Sequence, residues 1–341
     1  MAYLPTFFSP APSFNASPAA PFDESLFFRA HGRCRGYYAQ GMECGIEWDE
    51  WMMVQEFITP RSTVLELGAR FGTTSCALAA ATNNSGSVVS VEPDARMWRF
   101  IQKNRAIQQC SFALMRGSIS QGSLVLAPRG YDTRTRAARA NETRGVVPHL
   151  SFRALEELTG YRFNTLLIDC EGCIGSLLTE EDASDVLSGI DVVLMEHDLP
   201  NELEHGYGHY FDLFRRHGLH QVWLSVDSFD PHGAWSRILR HSAWRRLADR
   251  SELATARRAC WDAARRHNRT REQLRCLDPR HDDPARQLNA SMHATLTDRQ
   301  LEVVLNRLAL TAPADHDRHV EQKQSQKATA ASHVETHRAR P

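Results

Sequence analysis

Two carboxylates and two glycines carry the first chemistry that this sequence suggests. Glu66, Gly68 and Gly72 lie within Thr63-Val-Leu-Glu-Leu-Gly-Ala-Arg-Phe-Gly-Thr-Thr-Ser75, and Glu92 follows 20 residues after Gly72. Glycines let a backbone pass close beneath a ligand, and a helix N-terminus leaves N–H donors free. The stretch has no Lys-Ser/Thr pair and no G-x-G-x-x-G spacing, so it does not read as a phosphate cradle. A carboxylate there repels phosphate but accepts hydroxyls or cations. Further along, Leu166-Leu-Ile-Asp169-Cys-Glu171-Gly172 and Glu196-His197-Asp198 put acids and a histidine where apolar runs end. Histidine is the natural general base near neutral pH. The bland alternatives are a helix N-cap pair at Asp169 and Glu171, and a solvated strand-end turn at Glu196 to Asp198. One histidine among three side chains, with no H-x-x-x-H spacing, leads to the expectation of no metal site.

The elements that must position these groups alternate. Thr63 to Leu67 and Ser87 to Val91 are short apolar runs suited to buried parallel strands. Cys110 to Arg116, Asn164 to Asp169 and Asp191 to Met195 continue the series. Helices are predicted over Glu47 to Ile58, from Thr73 to Ala81, Asp94 to Arg105, Ser151 to Leu158 (with Ser151 as N-cap), Glu180 to Ser188 and Tyr210 to His217. Ser123 to Leu126 and Val146 to Val147 read as short strands around an Arg-rich loop. Gln221 to Val226 and Ala234 to Leu239 read as a terminal hairpin. Such alternation closing in a hairpin predicts an α/β, doubly wound, mostly parallel sheet with one antiparallel strand.

Two carboxylates without a phosphate clamp suit S-adenosylmethionine, which offers a ribose, an adenine, a sulfonium and an α-ammonium but no phosphate. The glycine turn resembles that of class I methyltransferases, E/D-x-G-x-G-x-G followed by an acidic strand end. More closely it resembles the D-x-G-A-N-x-G turn of the FkbM-like branch. Here Glu66, Gly68, Ala69 and Gly72 match, while Arg70 replaces the small or amide residue. The segment around Asp169 resembles that family's K-I-D-V-E-G, with Leu167 where the lysine usually stands. The likeness runs from about Glu47 to Val226. It implies a Rossmann-like class I methyltransferase fold, with cofactor bound by Glu66, Gly68, Ala69, Gly72, Glu92 and Ser118. It also implies Asp169, Glu196 and His197 as candidate bases, and Glu171 towards the substrate. The implied acceptor is a hydroxyl on a small molecule, sugar or lipid. A non-catalytic scaffold and a nicotinamide-dependent oxidoreductase remain as other readings.

Composition sets the frame. The 341 residues are 42% hydrophobic, enough for a full core. From His241 onward there are 19 Lys and Arg against 13 Asp and Glu; before it, 21 against 28. An acidic core argues against a nucleic-acid substrate. We expect a flexible leader over 1–30, the methyltransferase domain over 31–240, and a basic, partly helical extension over 241–341 that could bind a partner. Within that extension Thr297 to Leu308 carries a capping box and an apolar stripe. Eight cysteines without regular spacing suggest no disulfide framework, and Cys170-Glu-Gly-Cys173 reads as packing. No run is long enough to span a membrane, and Met1 to Pro10 lacks a basic n-region, so a cytoplasmic location is expected.

Overall fold

The computed structural model describes residues 8–12, 48–129, 132–197, 206–226, 240–248, 250–266 and 274–275. All lie in the first of two compact units, Met1–Gln287. Asp198, the strand expected at Ala234 to Leu239 and the capped, striped segment Thr297 to Leu308 fall outside the described residues.

The chain begins with β1 (Phe8–Ser9), α1 (Trp48–Phe57), β2 (Val64–Leu67), α2 (Thr73–Ala81), β3 (Val88–Glu92), α3 (Ala95–Gln108) and β4 (Ala113–Arg116). Short strands β5 (Ser118–Ile119), β6 (Leu124–Arg129), β7 (Asp132–Ala137), β8 (Val146–Val147) and β9 (His149–Leu150) follow. Then come α4 (Phe152–Thr159), β10 (Thr165–Ile168), α5 (Ile174–Leu177), α6 (Ala183–Leu187), β11 (Val192–His197), α7 (Gly206–Arg216) and β12 (Leu219–Val226). The last described elements are β13 (Arg240–Arg246), α8 (Arg250–Arg266) and β14 (Leu274–Arg275).

One nine-stranded sheet runs β1-β4-β3-β2-β10-β11-β13-β12-β14. β4, β3, β2, β10 and β11 are mutually parallel, and β13 is antiparallel to both of its neighbours. The order reverses between β2 and β10, which opens a crevice at the carboxyl edge of the sheet. This is the expected α/β, Rossmann-like arrangement with one inserted antiparallel strand. One face packs Val64, Leu167, Leu194, Trp223 and Ala243 against apolar residues of α1, α2, α3 and α8. On the opposite face Phe211 and Phe214 of α7 pack on Trp244, at ring centroid distances of 5.0 and 5.2 Å. Ser151 caps α4 as expected, accepting from the Ala154 N–H at 3.1 Å.

Four expectations are corrected. The antiparallel strand is Arg240–Arg246, so the sheet runs past the boundary drawn at 240. Its arginines and histidine gave it the look of a solvated extension, yet His241, Ser242, Ala243 and Trp244 are all fully buried. Arg246, partly buried, donates to the carbonyls of Leu187, Ile190 and His217. The Arg-rich loop contains β7, which pairs with β6 beside the expected β6–β8 pair. Phe8 and Ser9, placed in the leader, pair with Met115 and Leu114 at the sheet edge. Finally, Cys76 is bonded to Cys110 and Cys170 to Cys173. No helix among the described residues is long and apolar enough to cross a membrane.

Candidate active site

The turn between β2 and α2 is built from left-handed residues: Gly68, Arg70 and Gly72 have φ of 99°, 46° and 76°. Their glycine requirements differ. A Cβ on Gly68 would lie 1.6 Å from the Asp169 carbonyl oxygen, so the close passage of the β10–α5 turn excludes any side chain. At Gly72 the nearest atoms would be at 3.4 Å, and the backbone conformation sets the preference. Gly68 and Ala69 both donate to the Val91 carbonyl at 3.0 Å, and Asn104 holds the Phe71 carbonyl at 2.8 Å. The loop is therefore fixed to β3 and α3 before any ligand arrives.

Glu92 ends β3 beneath this loop. One of its oxygens accepts from the Arg70 N–H at 2.8 Å, the other from the Asp94 N–H at 2.7 Å. Burial pushes its carboxyl up to about 7; the two backbone hydrogen bonds and the Arg70 charge offset only part of that. The Arg70 guanidinium lies over the Phe71 ring, 5.7 Å from its centroid, near enough to Glu92 to favour its ionised form. Ser118 is buried, and its hydroxyl has no hydrogen-bond partner among the described residues. Glu66 faces the core, fully buried, and accepts from Ser75 of α2 at 2.5 Å. Its observed role is to tie the strand to the helix that follows.

A raised carboxyl has a defined consequence for stability. The folded value of Glu92 exceeds its ordinary 4.5, so its contribution is fully present below that value and lost as pH rises through about 7. The loss is on the order of 3 kcal/mol. His241 adds a loss of the same sign above its ordinary value, so comparison with a variant isolates Glu92. Denaturant unfolding of the ligand-free protein at pH 5 and pH 8 should show a smaller difference in Glu92→Gln than in the parent. Equal slopes would remove this account of Glu92.

Beside the cofactor-like loop, a second polar group crosses the carboxyl edge. Side chains alternate along a strand, so Leu194 and Glu196 share the face covered by α1, while Met195 and His197 take the other. His241 pairs with Glu196 across the ladder, and Ser225 pairs with His241 from the other side. Glu50 reaches down from the first turn of α1 to bring its Oε1 2.7 Å from His241 Nε2, with Glu196 Oε1 at 3.6 Å. Asp169 hydrogen-bonds Glu196, which two carboxyl groups can do only through a shared proton. Burial opposes ionisation of Glu196, but the hydrogen bonds from His241 and Asp169 and the histidine charges hold it at about 2. Burial likewise opposes the charge on His241, and Glu50 and Glu196 overcome it, raising the imidazole well above its ordinary value.

Asp169 and Glu196 are thus brought together, next to Gly68. His197 is not part of the group. It is buried on the other face, stacked on Tyr207 at 5.0 Å and bonded to Ser242 Oγ at 2.7 Å. Glu171 sits half-buried in the turn that the Cys170–Cys173 bond closes, with φ of 52°. Glu50 and His241 were missed. Glu50 read as an ordinary acid in a first helical turn and His241 as the start of the extension. The two-residue period of β11 was the available signal that Glu196 and His197 point apart.

No family model matches the sequence, and none of the curated proteins matches it. Solved structures do. An O-methyltransferase from Bacillus cereus in complex with SAH has a TM-score of 0.41 at 10% identity, covering 65% of this chain and 91% of that one. A precorrin-6y C5,15-methyltransferase from Geobacter metallireducens GS-15 has a TM-score of 0.36 at 9% identity, covering 60% and 89%. An rRNA methylase from Streptococcus thermophilus has a TM-score of 0.37 at 8% identity, covering 61% and 99%. The fold assignment for this chain rests on its own strand order, with β13 inserted antiparallel between β11 and β12.

Proposed function

We propose that this chain is an S-adenosylmethionine-dependent methyltransferase of the FkbM-like kind, acting on a hydroxyl oxygen of a small molecule, sugar or lipid. The observation that carries the reading is Glu92: an acidic strand end held 2.8 Å from the backbone N–H of the glycine loop, beside the point where the strand order reverses. Each Glu92 oxygen accepts one backbone N–H and keeps a lone pair for a ribose hydroxyl. The buried Ser118 hydroxyl adds a further polar contact for the adenine end. Residues of this kind fit a nucleoside without phosphates.

When bound, the cofactor supplies an electrophilic methyl on a sulfonium. The chain has to hold the acceptor hydroxyl in line and receive its proton. Glu196, kept ionised by His241, is the acceptor, and Asp169, which carries the proton shared between them, holds it in place. The hydroxyl proton becomes strongly acidic as the new O–C bond forms, so a carboxylate of low pKa suffices. His197, buried away from Glu196, takes no part in this proposal.

Calorimetric titration with S-adenosylmethionine, S-adenosylhomocysteine and NAD tests the reading. The first two should bind and NAD should not. A ribose diol donates to ionised Glu92, so affinity should fall about tenfold from pH 8 to pH 6, across the value of about 7. Glu92→Ala should cost ~1–3 kcal/mol of binding. Binding of NAD alone would favour the oxidoreductase. No binding of any of the three by the folded protein would favour the scaffold.

A further inference from the structure

We infer that Glu50, Glu196 and His241 form a binding site for one divalent first-row transition-metal ion, of the manganese or zinc kind. The inference goes beyond methyl transfer and does not depend on it. The three residues each offer a ligand atom, and all of these atoms lie within 4.8 Å of one another. His241 Nε2 stands 2.7 Å from one carboxylate oxygen and 3.6 Å from the other. Donor atoms around a cation bound at ~2.0–2.2 Å are separated by roughly 3.0–3.4 Å, which these distances bracket. The donors are therefore already converged, from three separate elements, α1, β11 and β13.

The mixture of donors selects the ion. An imidazole nitrogen with carboxylate oxygens suits zinc or manganese, whereas magnesium and calcium favour all-oxygen shells. In the ligand-free chain a proton on His241 Nε2 occupies the space between the two acids. A metal ion replaces that proton on the same nitrogen, so binding releases one proton to solvent. Neither outcome leaves the buried carboxylates facing an apolar interior without a cation.

A second observation points the same way. A metal-ligating histidine normally donates its other ring N–H to a neighbouring acceptor. His241 Nδ1 and the Ser225 hydroxyl are both buried, and neither has a hydrogen-bond partner among the described residues. They belong to directly paired residues of β13 and β12, on the same face of the sheet. With Nε2 on a metal the imidazole keeps its proton on Nδ1, and Ser225 is the residue paired with it across the ladder. Asp169, bonded to Glu196, is half-buried.

The test uses the full chain after dialysis against a chelator. Manganese is titrated while the free ion is followed by electron paramagnetic resonance, with zinc as competitor. Calorimetry in buffers of different ionisation enthalpy counts protons. We expect one saturable site, release of about one proton near pH 7, and displacement by zinc. Glu50→Gln and His241→Gln should each weaken manganese binding by about tenfold or more. If either variant fails to fold cooperatively, the parent's stoichiometry and proton count decide. No saturable site in the folded parent up to millimolar manganese or zinc, or unchanged affinity in both folded variants, would overturn the inference. S-adenosylhomocysteine is titrated in parallel. Metal binding without nucleoside binding would sink the methyl-transfer reading alone, and the reverse would sink this one alone.

Discussion

A chain ending at Leu239 is expected to be insoluble or to melt without cooperativity, although its composition up to that point resembles a finished domain. The reason is the position of β13. It lies between β11 and β12 and hydrogen-bonds to both, so its removal separates two strands that have no direct ladder of their own. Trp244, fully buried, fills the space under Phe211 and Phe214, and its loss leaves α7 without its floor. Ala256, Cys260, Ala263 and Ala264 of α8 belong to the same core as α1. Burial of one large side chain is worth ~2–3 kcal/mol, and whole domains are stable by only ~5–15 kcal/mol. Far-UV circular dichroism and thermal unfolding of the 1–239 fragment, beside one ending after Arg275, provide the measurement. A sharp transition in the shorter fragment would show that the sheet closes without β13.

Gly68→Ala should be the most damaging single substitution in the loop, costing ~3 kcal/mol or more of stability. The new methyl would sit 1.6 Å from a backbone oxygen of Asp169, which has no rotamer to yield, and alanine is strained at φ of 99°. Relief requires moving the β10–α5 turn, and that turn carries Asp169 and Glu171. On the proposed function, affinity for S-adenosylmethionine should fall with stability. Gly72→Ala is the internal comparison: its methyl would meet side chains at 3.4 Å and backbone no nearer than 3.8 Å, so about 1 kcal/mol of backbone strain is expected. Urea unfolding of both variants gives the ranking. A Gly68→Ala loss below that of Gly72→Ala would show that the turn is softer than its packing implies.

Much of the fold was legible because its determinants are local. Val-Leu-Glu-Leu before a glycine turn, or Ser151 before an amphipathic helix, needs no distant partner to be read. What escaped notice depends on residues far apart in sequence. Glu50 and His241 meet across 191 positions, and neither carries a motif. Gly68 was read as making room for a ligand, whereas its neighbour is the carbonyl of Asp169. β13 was hidden by its charges, because Arg246 donates to carbonyls that only the folded sheet brings within reach. The Cys76–Cys110 pair was hidden for the same reason: its members are 34 residues apart, one in α2 and one in the loop after α3.

The two ends of the large sheet have a consequence for self-association. Among the described residues each outer border is finished by a strand of two residues, β1 beside β4 and β14 beside β12. Arg105 reinforces the first by donating to Ser9 Oγ and the Pro10 carbonyl. Hydrogen-bonding groups at a bare border are a template for a second copy of a chain, and two paired residues suffice to interrupt it. Such short strands open far more readily than the interior of the sheet. Colloidal behaviour is then governed by the least stable few residues of the domain: conditions that lift Phe8 and Ser9 would bare β4 and invite strand-to-strand aggregation while the core remains folded.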